Sequence, residues 1–161
     1  ALAMNAGTPD GAIGDFVSAV YFLYPDGTLG EFKPNASSFT YRSYEFPPES
    51  VLVGCRLQFH RRPLAEIQND IKQRLKHKKT TQPLALASAG CVWKDPPGET
   101  AARLKGKRLH GAEISAKHPN FIVNRGVAAA ADIVALLDLT RERVHAHFGV
   151  TLEPDLRILG E

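Results

Sequence analysis

Few residues of this chain stand in arrangements that could carry chemistry. Cys55 and Cys91 are its only cysteines, too few for a disulfide framework or for the cysteine spacing of a structural zinc site. His145 and His147 are two apart on a predicted helix, so they diverge and cannot share a metal; no metal is expected. Phosphate-cradling G-x-x-x-x-G-K-[ST], dinucleotide G-x-G-x-x-G, zinc H-E-x-x-H and nucleophile-elbow G-x-S-x-G patterns are all missing. Three strings are less ordinary. They are Tyr41-Arg42-Ser43, the run Ser88-Ala89-Gly90-Cys91-Val92-Trp93-Lys94-Asp95-Pro96, and Leu152-Glu153-Pro154-Asp155-Leu156-Arg157. Taken singly each has a bland reading. A loop arginine is usually solvated, a cysteine after glycine usually buried and inert, and acids near a terminus usually on the surface.

The elements that must position these strings come from an ordinary globular composition. Of 161 residues, 43% are hydrophobic and 23% charged, which excludes a disordered, collagenous or coiled-coil chain. Twenty Lys+Arg against seventeen Asp+Glu give +3, a mild excess, weaker than a typical nucleic-acid binder shows, that suits an anionic small ligand equally well; no nucleic-acid partner is expected. The longest apolar stretch, Ala128–Leu139, is too short for a bilayer and carries Asp132 and Asp138, so no membrane partner is expected. With no secretory pattern and little cysteine, the expected compartment is cytoplasmic.

Phe16–Tyr24 and Leu29–Lys33 flank Pro25-Asp26-Gly27 and predict a hairpin. Residues 34–49 read as loop. Val51–His60 alternates, with Val53, Cys55, Leu57 and Phe59 on one face, and predicts a half-buried strand with Cys55 in the core. Pro63 opens a helix whose apolar face is Leu64, Ile67, Ile71 and Leu75; the opposite face carries Lys72, Arg74, Lys76, Lys78 and Lys79. Residues 80–98 read as irregular and Glu99–Leu104 as a short helix. Leu109–Ser115 and Phe121–Asn124 read as strands. Ala130–Phe148 is the clearest helix, stopped by Gly149, and Val150–Leu159 closes the chain as a strand broken by Pro154. This order predicts an α+β fold: a mixed or antiparallel sheet with helices packed on one face.

Six strings in order carry a resemblance over nearly the whole chain. They are Met4-Asn5-Ala6-Gly7; Tyr41-Arg42-Ser43; Gln82-Pro83-Leu84 with Ser88–Lys94; Gly111-Ala112-Glu113-Ile114-Ser115; Lys117-His118 with Asn120-Phe121-Ile122-Val123-Asn124; and Leu152–Gly160. Together they resemble the MurB family of UDP-N-acetylenolpyruvoylglucosamine reductases. The resemblance implies an oxidoreductase of peptidoglycan precursor synthesis, hence of cell-wall biogenesis, shape and division. Its cofactors would be FAD and NADPH. Its substrate, UDP-N-acetylglucosamine enolpyruvate, would become UDP-N-acetylmuramate.

By the same resemblance Arg42 and Asp155 stabilise the enolate formed when hydride adds to the enol ether, and Cys91 delivers the proton. A thiol with an ordinary pKa of about 8.5 is mostly protonated at pH 7, so it can donate. Tyr41, Lys94, Asn120 and Glu153 would line the substrate pocket. Asn5, Ala6 and Gly7 would approach the flavin, where small residues permit close main-chain contact. Asp155 stands where the family carries Glu, and Asp95 where it carries Asn. Residues 1–62 resemble the C-terminal portion of the FAD-binding domain and 63–161 the substrate-binding domain. The family's N-terminal flavin-binding segment, with its pyrophosphate loop, is therefore an expected partner. A competing expectation is a non-catalytic module that binds a phosphate ligand or nucleic acid through the Lys72–Lys79 stripe.

Overall fold

A computed structural model describes residues 1–8, 10–35, 37–94 and 104–159. It divides into two compact units, Ala1–Arg62 and Pro63–Glu161. All described strand pairs are antiparallel, and the architecture is α+β.

The first unit opens with a small ribbon, β1 (Gly7–Thr8) against β2 (Gly11–Ala12). The predicted hairpin follows as β3 (Val17–Leu23) and β4 (Leu29–Phe32). Asp26 shapes its turn by accepting the Thr28 N–H at 2.9 Å and the Thr28 hydroxyl at 2.7 Å. Inside the region expected to be loop, β5 (Phe39–Thr40) and β6 (Ser43–Tyr44) form a second hairpin. β7 (Val51–Leu57) pairs with β3, giving the sheet order β4-β3-β7. Val20, Phe22 and Tyr44 form its small core, with Leu52 and Phe46 packed beside them.

Here the expected alternation fails. The β3–β7 register shifts between Val17 and Ala19 and again between Tyr21 and Phe22. Each bulge adds a residue and turns the following side chains over. Cys55, expected in the core, is only half-buried, and Val51 and Val53 point outward, 60% and 51% exposed.

In the second unit α1 (Leu64–Thr81) begins after Pro63 as expected, yet none of its residues is buried; Leu64 is 69% exposed. β8 (Ala87–Cys91) lies within the segment expected to be irregular. The single strand expected over Leu109–Ser115 is two, β9 (Arg108–Leu109) and β10 (Ala112–Ile114), broken at His110 and Gly111. A Cβ at Gly111 would collide with the Ala128 backbone, so the helix lead-in passes where only glycine fits. β11 (Phe121–Asn124) completes the order β8-β11-β10-β9. α2 (Ala130–Phe148) covers this sheet. Asp132 accepts the Ala129 N–H at 2.9 Å at its start, and Gly149 in the left-handed region ends it.

Trp93, Ile114, Leu136 and Val144 are fully buried members of the core between sheet and helix. The expected strand Val150–Leu159 is reduced to one bridge, Trp93 to Pro154. The helix expected over Glu99–Leu104 falls, up to Arg103, outside the described residues, as does Asp95. Among the described residues no helix is long and apolar enough to cross a membrane.

Candidate active site

The residues singled out by sequence fall into two clusters, one in each unit. In the first unit Tyr41 and Arg42 form the two-residue tip of the β5–β6 hairpin, closed by Thr40 opposite Ser43. Arg42 takes a left-handed φ of 55°, and its guanidinium carbon lies 5.6 Å from the centre of the Tyr41 ring. Behind the tip, Phe39 stacks on Tyr44 at 4.4 Å, and Phe46 meets Tyr44 edge-on at 5.2 Å. Such aromatic packing gives a short hairpin a rigid root.

Asn5 connects this hairpin to the N-terminal loop. Its side-chain amide donates to the Thr40 carbonyl at 3.0 Å, and its Oδ1 accepts the Gly14 N–H at 3.0 Å. The Asn5 side chain is thus engaged within the protein, while Ala6 and Gly7 are exposed.

In the second unit Cys91, Lys94, Asn120, Glu153 and Asp155 come together around one short segment. Cys91 is the last residue of β8 and pairs with Phe121 of β11; it is half-buried. Gly90, just before it, has φ 91°, a conformation that side chains rarely adopt. The tail beyond α2 lies against residues 92–94. The Lys94 N–H donates to the Glu153 carbonyl at 2.9 Å, and the Asp155 N–H donates to the Val92 carbonyl at 3.0 Å. Lys94 Nζ and the Glu153 carboxylate form an ion pair across this contact.

Asn120 is 5% exposed. Its Oδ1 accepts the N–H groups of Val92 at 3.2 Å and Trp93 at 2.8 Å, and its Nδ2 donates to the Trp93 carbonyl at 2.8 Å. Its own N–H donates to His118 Nδ1 at 3.3 Å, a bond that requires that nitrogen to be unprotonated. Burial, aided by the charge of Lys105, likewise holds His118 below the ordinary histidine range.

Sequence reasoning passed over a second charged group in this sheet. Glu113 is 3% exposed at the centre of β10. Arg125 grips it through Nη2 to Oε1 at 2.9 Å and Nε to Oε2 at 3.0 Å, and Arg108 Nε also bonds Oε2. The Arg125 hydrogen bond, with help from Arg108, outweighs burial and holds the carboxyl below the ordinary glutamate range. The signal was visible: an acid inside Ala112-Glu113-Ile114 must find cationic partners if the strand is buried. Among the described residues no three His, Cys, Asp or Glu side chains gather as a metal site.

Comparison with known proteins agrees in both sequence and shape. Residues 82–159 match the family model described as UDP-N-acetylenolpyruvoylglucosamine reductase, C-terminal domain. A reductase of that name from Moorella thermoacetica is 39% identical over all of this chain and 55% of its own length. UDP-N-acetylenolpyruvoylglucosamine reductase 2 of Symbiobacterium thermophilum is 37% identical over 99% of this chain and 54% of its own length. The crystal structure of the Thermus caldophilus reductase (MurB) superposes on 98% of this chain and 58% of that protein, with a TM-score of 0.80 and 36% identity. The chain therefore spans about half the length of the relatives it matches.

Proposed function

We propose, because this chain belongs to the UDP-N-acetylenolpyruvoylglucosamine reductase family, that it supplies the proton-donating and anion-stabilising half of such a reductase. The substrate is UDP-N-acetylglucosamine enolpyruvate and the product UDP-N-acetylmuramate, made in the cytoplasm for peptidoglycan. Bound FAD, reduced by NADPH, would supply the hydride that reaches the terminal carbon of the enol ether. The exposed Ala6–Gly7 main chain, with no bulky side chain, fits close approach of a planar ring.

The remaining work belongs to this chain's side chains. Arg42 pairs with the substrate carboxylate, where its planar fork meets the charge that develops. Cys91 gives its thiol proton to the carbon beside that carboxylate, completing the lactyl ether; the thiolate left behind recovers a proton from water. Asp155 helps hold the same carboxyl group. The Lys94–Glu153 pair is exposed enough to open toward a phosphate at little cost. The observation that carries this reading is the Val92–Asp155 hydrogen bond, which holds the candidate donor and the candidate acid on adjoining main chain.

The half of the relatives' length not matched here is the proposed partner. The outward apolar residues of β7 in the first unit and, separately, the Leu64, Ile67, Ile71 and Leu75 stripe of α1 in the second are exposed, which supports faces made to be covered in each. The test is co-expression of this chain with the unmatched half of the Moorella relative. NADPH oxidation should then depend on the enolpyruvyl substrate. Cys91→Ala in that pair should leave reduction of the flavin by NADPH at its parent rate and slow its reoxidation by substrate. A flavin-loaded pair whose NADPH oxidation ignores the substrate would overturn the reading.

A further inference from the structure

The clearest feature of the second unit that the proposed chemistry leaves unused is the Asn120 side chain. Sequence resemblance put it among substrate-binding groups. Its geometry points elsewhere. The three hydrogen bonds described above run to the two residues that follow Cys91, and Val92 N–H is shared between the Asn120 main-chain oxygen at 2.9 Å and Oδ1 at 3.2 Å. Asn120 is buried, as are Val92 and Trp93, whose main chain its amide bonds.

Around Cys91 the main chain has three constraints. Upstream, Gly90 bends through the left-handed region. Opposite, the register of β11 against β8 shifts between Phe121 and Val123, so a bulge sets the Cys91–Phe121 pair apart from the rest of the ladder. Downstream, residues 92 and 93 leave the ladder and are held by Asn120. That same pair of residues receives the tail, through the Asp155 N–H to Val92 carbonyl bond and the bridge between Trp93 and Pro154.

We propose that Asn120 is a positioning residue: its buried amide fixes the crossing of residues 91–93 and the tail, and so sets the placement of Cys91 relative to Asp155. This rests on Cys91 as proton donor. A donor must stand within hydrogen-bond reach of the carbon it serves, and a misplacement near 1 Å can cost about 10²-fold in rate. Aliphatic side chains at 120 would leave the Trp93 N–H and carbonyl without these partners, the Val92 N–H keeping only its bond to the main-chain oxygen of residue 120, so the segment would move to find water.

The experiment has two arms. In this chain carrying Cys55→Ser, the rate of Cys91 alkylation by iodoacetamide is measured under conditions where the urea curve shows the protein folded. Asn120→Ala should raise that rate about tenfold through local opening. Asn120→Asp keeps the two accepted N–H bonds and loses the donated one, so it should fall between parent and Asn120→Ala. It also serves if Asn120→Ala does not fold. An unchanged alkylation rate in both folded variants overturns the proposal.

In the second arm the substitutions are placed in the co-expressed pair. Asn120→Ala should lower kcat about 10²-fold while KM for the enolpyruvyl substrate changes less than about threefold. A raised KM with kcat intact would make Asn120 a binding residue and overturn the positioning role. Cys91→Ala separates the two readings. If it leaves substrate-driven reoxidation fast, the donor reading fails. If it slows reoxidation while Asn120→Ala does not, the donor stands and the positioning role falls.

Discussion

The two units solve the same packing problem to different degrees. In the second, a four-stranded sheet lies under α2, and Trp93, Ile114, Leu136 and Val144 are closed off between them. In the first, the three-stranded sheet packs Val20 and Phe22 against Tyr44 of the β5–β6 hairpin, while Leu23, Leu29, Val51 and Val53 stand exposed. One sheet carries its own cover and the other does not. The difference teaches where the stability of this chain resides: in the unit whose sheet is closed by its own helix.

The largest break in that comparison should come from Trp93, which is 1% exposed at the centre of the closed core. Trp93→Ala should destabilise the second unit by about 3–5 kcal/mol, read as a lower urea midpoint. Trp93→Phe should cost far less, because the buried indole Nε1 has no hydrogen-bond partner among the described residues.

A middle-sized effect belongs to the buried acid. Arg125→Met would leave the Glu113 carboxylate buried with Arg108 as its remaining partner, and should cost about 1–3 kcal/mol. Glu113→Gln should cost less, because both arginines are exposed enough to hydrate. The pH dependence has a definite sign. Since the folded carboxyl titrates below its ordinary value of 4.5, its contribution is complete above that pH and is lost as pH falls through the folded value. Urea midpoints measured from pH 6 downward should therefore fall less steeply in Glu113→Gln than in the parent.

The smallest effect sharpens the contrast. Val53→Ser on the uncovered face should change the stability of this chain alone by no more than about 0.5 kcal/mol. The same substitution should cost more once the unmatched half of a relative is supplied. Equal costs in the two settings would remove the case for an external cover.

Sequence and structure agree where the signal is local. α2 was legible because its apolar residues Ile133, Leu137, Val144 and Phe148 keep a helical period, with Thr140 the polar member of the same face, up to a glycine stop. The β3–β4 hairpin was legible from its turn chemistry. β8 was not: Ala87-Ser88-Ala89-Gly90 has no period, and it is a strand because β11 offers a ladder. The tail failed in the other direction, since Pro154 and a single bridge leave it extended but unladdered. β7 was legible as a strand, but its facing was not, because bulges reset it against β3. At the candidate site, residue types were legible and partners were not. The bonds of Asn120 cross 27 and 28 residues, a separation no local pattern encodes.

β7 has one further consequence, for handling and for physiology. Among the described residues it pairs only with β3, so its other rim offers amide and carbonyl groups to whatever extended polypeptide arrives. Such rims template aggregation. Raising the concentration of this chain, in a cell or in a tube, should therefore draw copies together through that rim and lower the soluble yield.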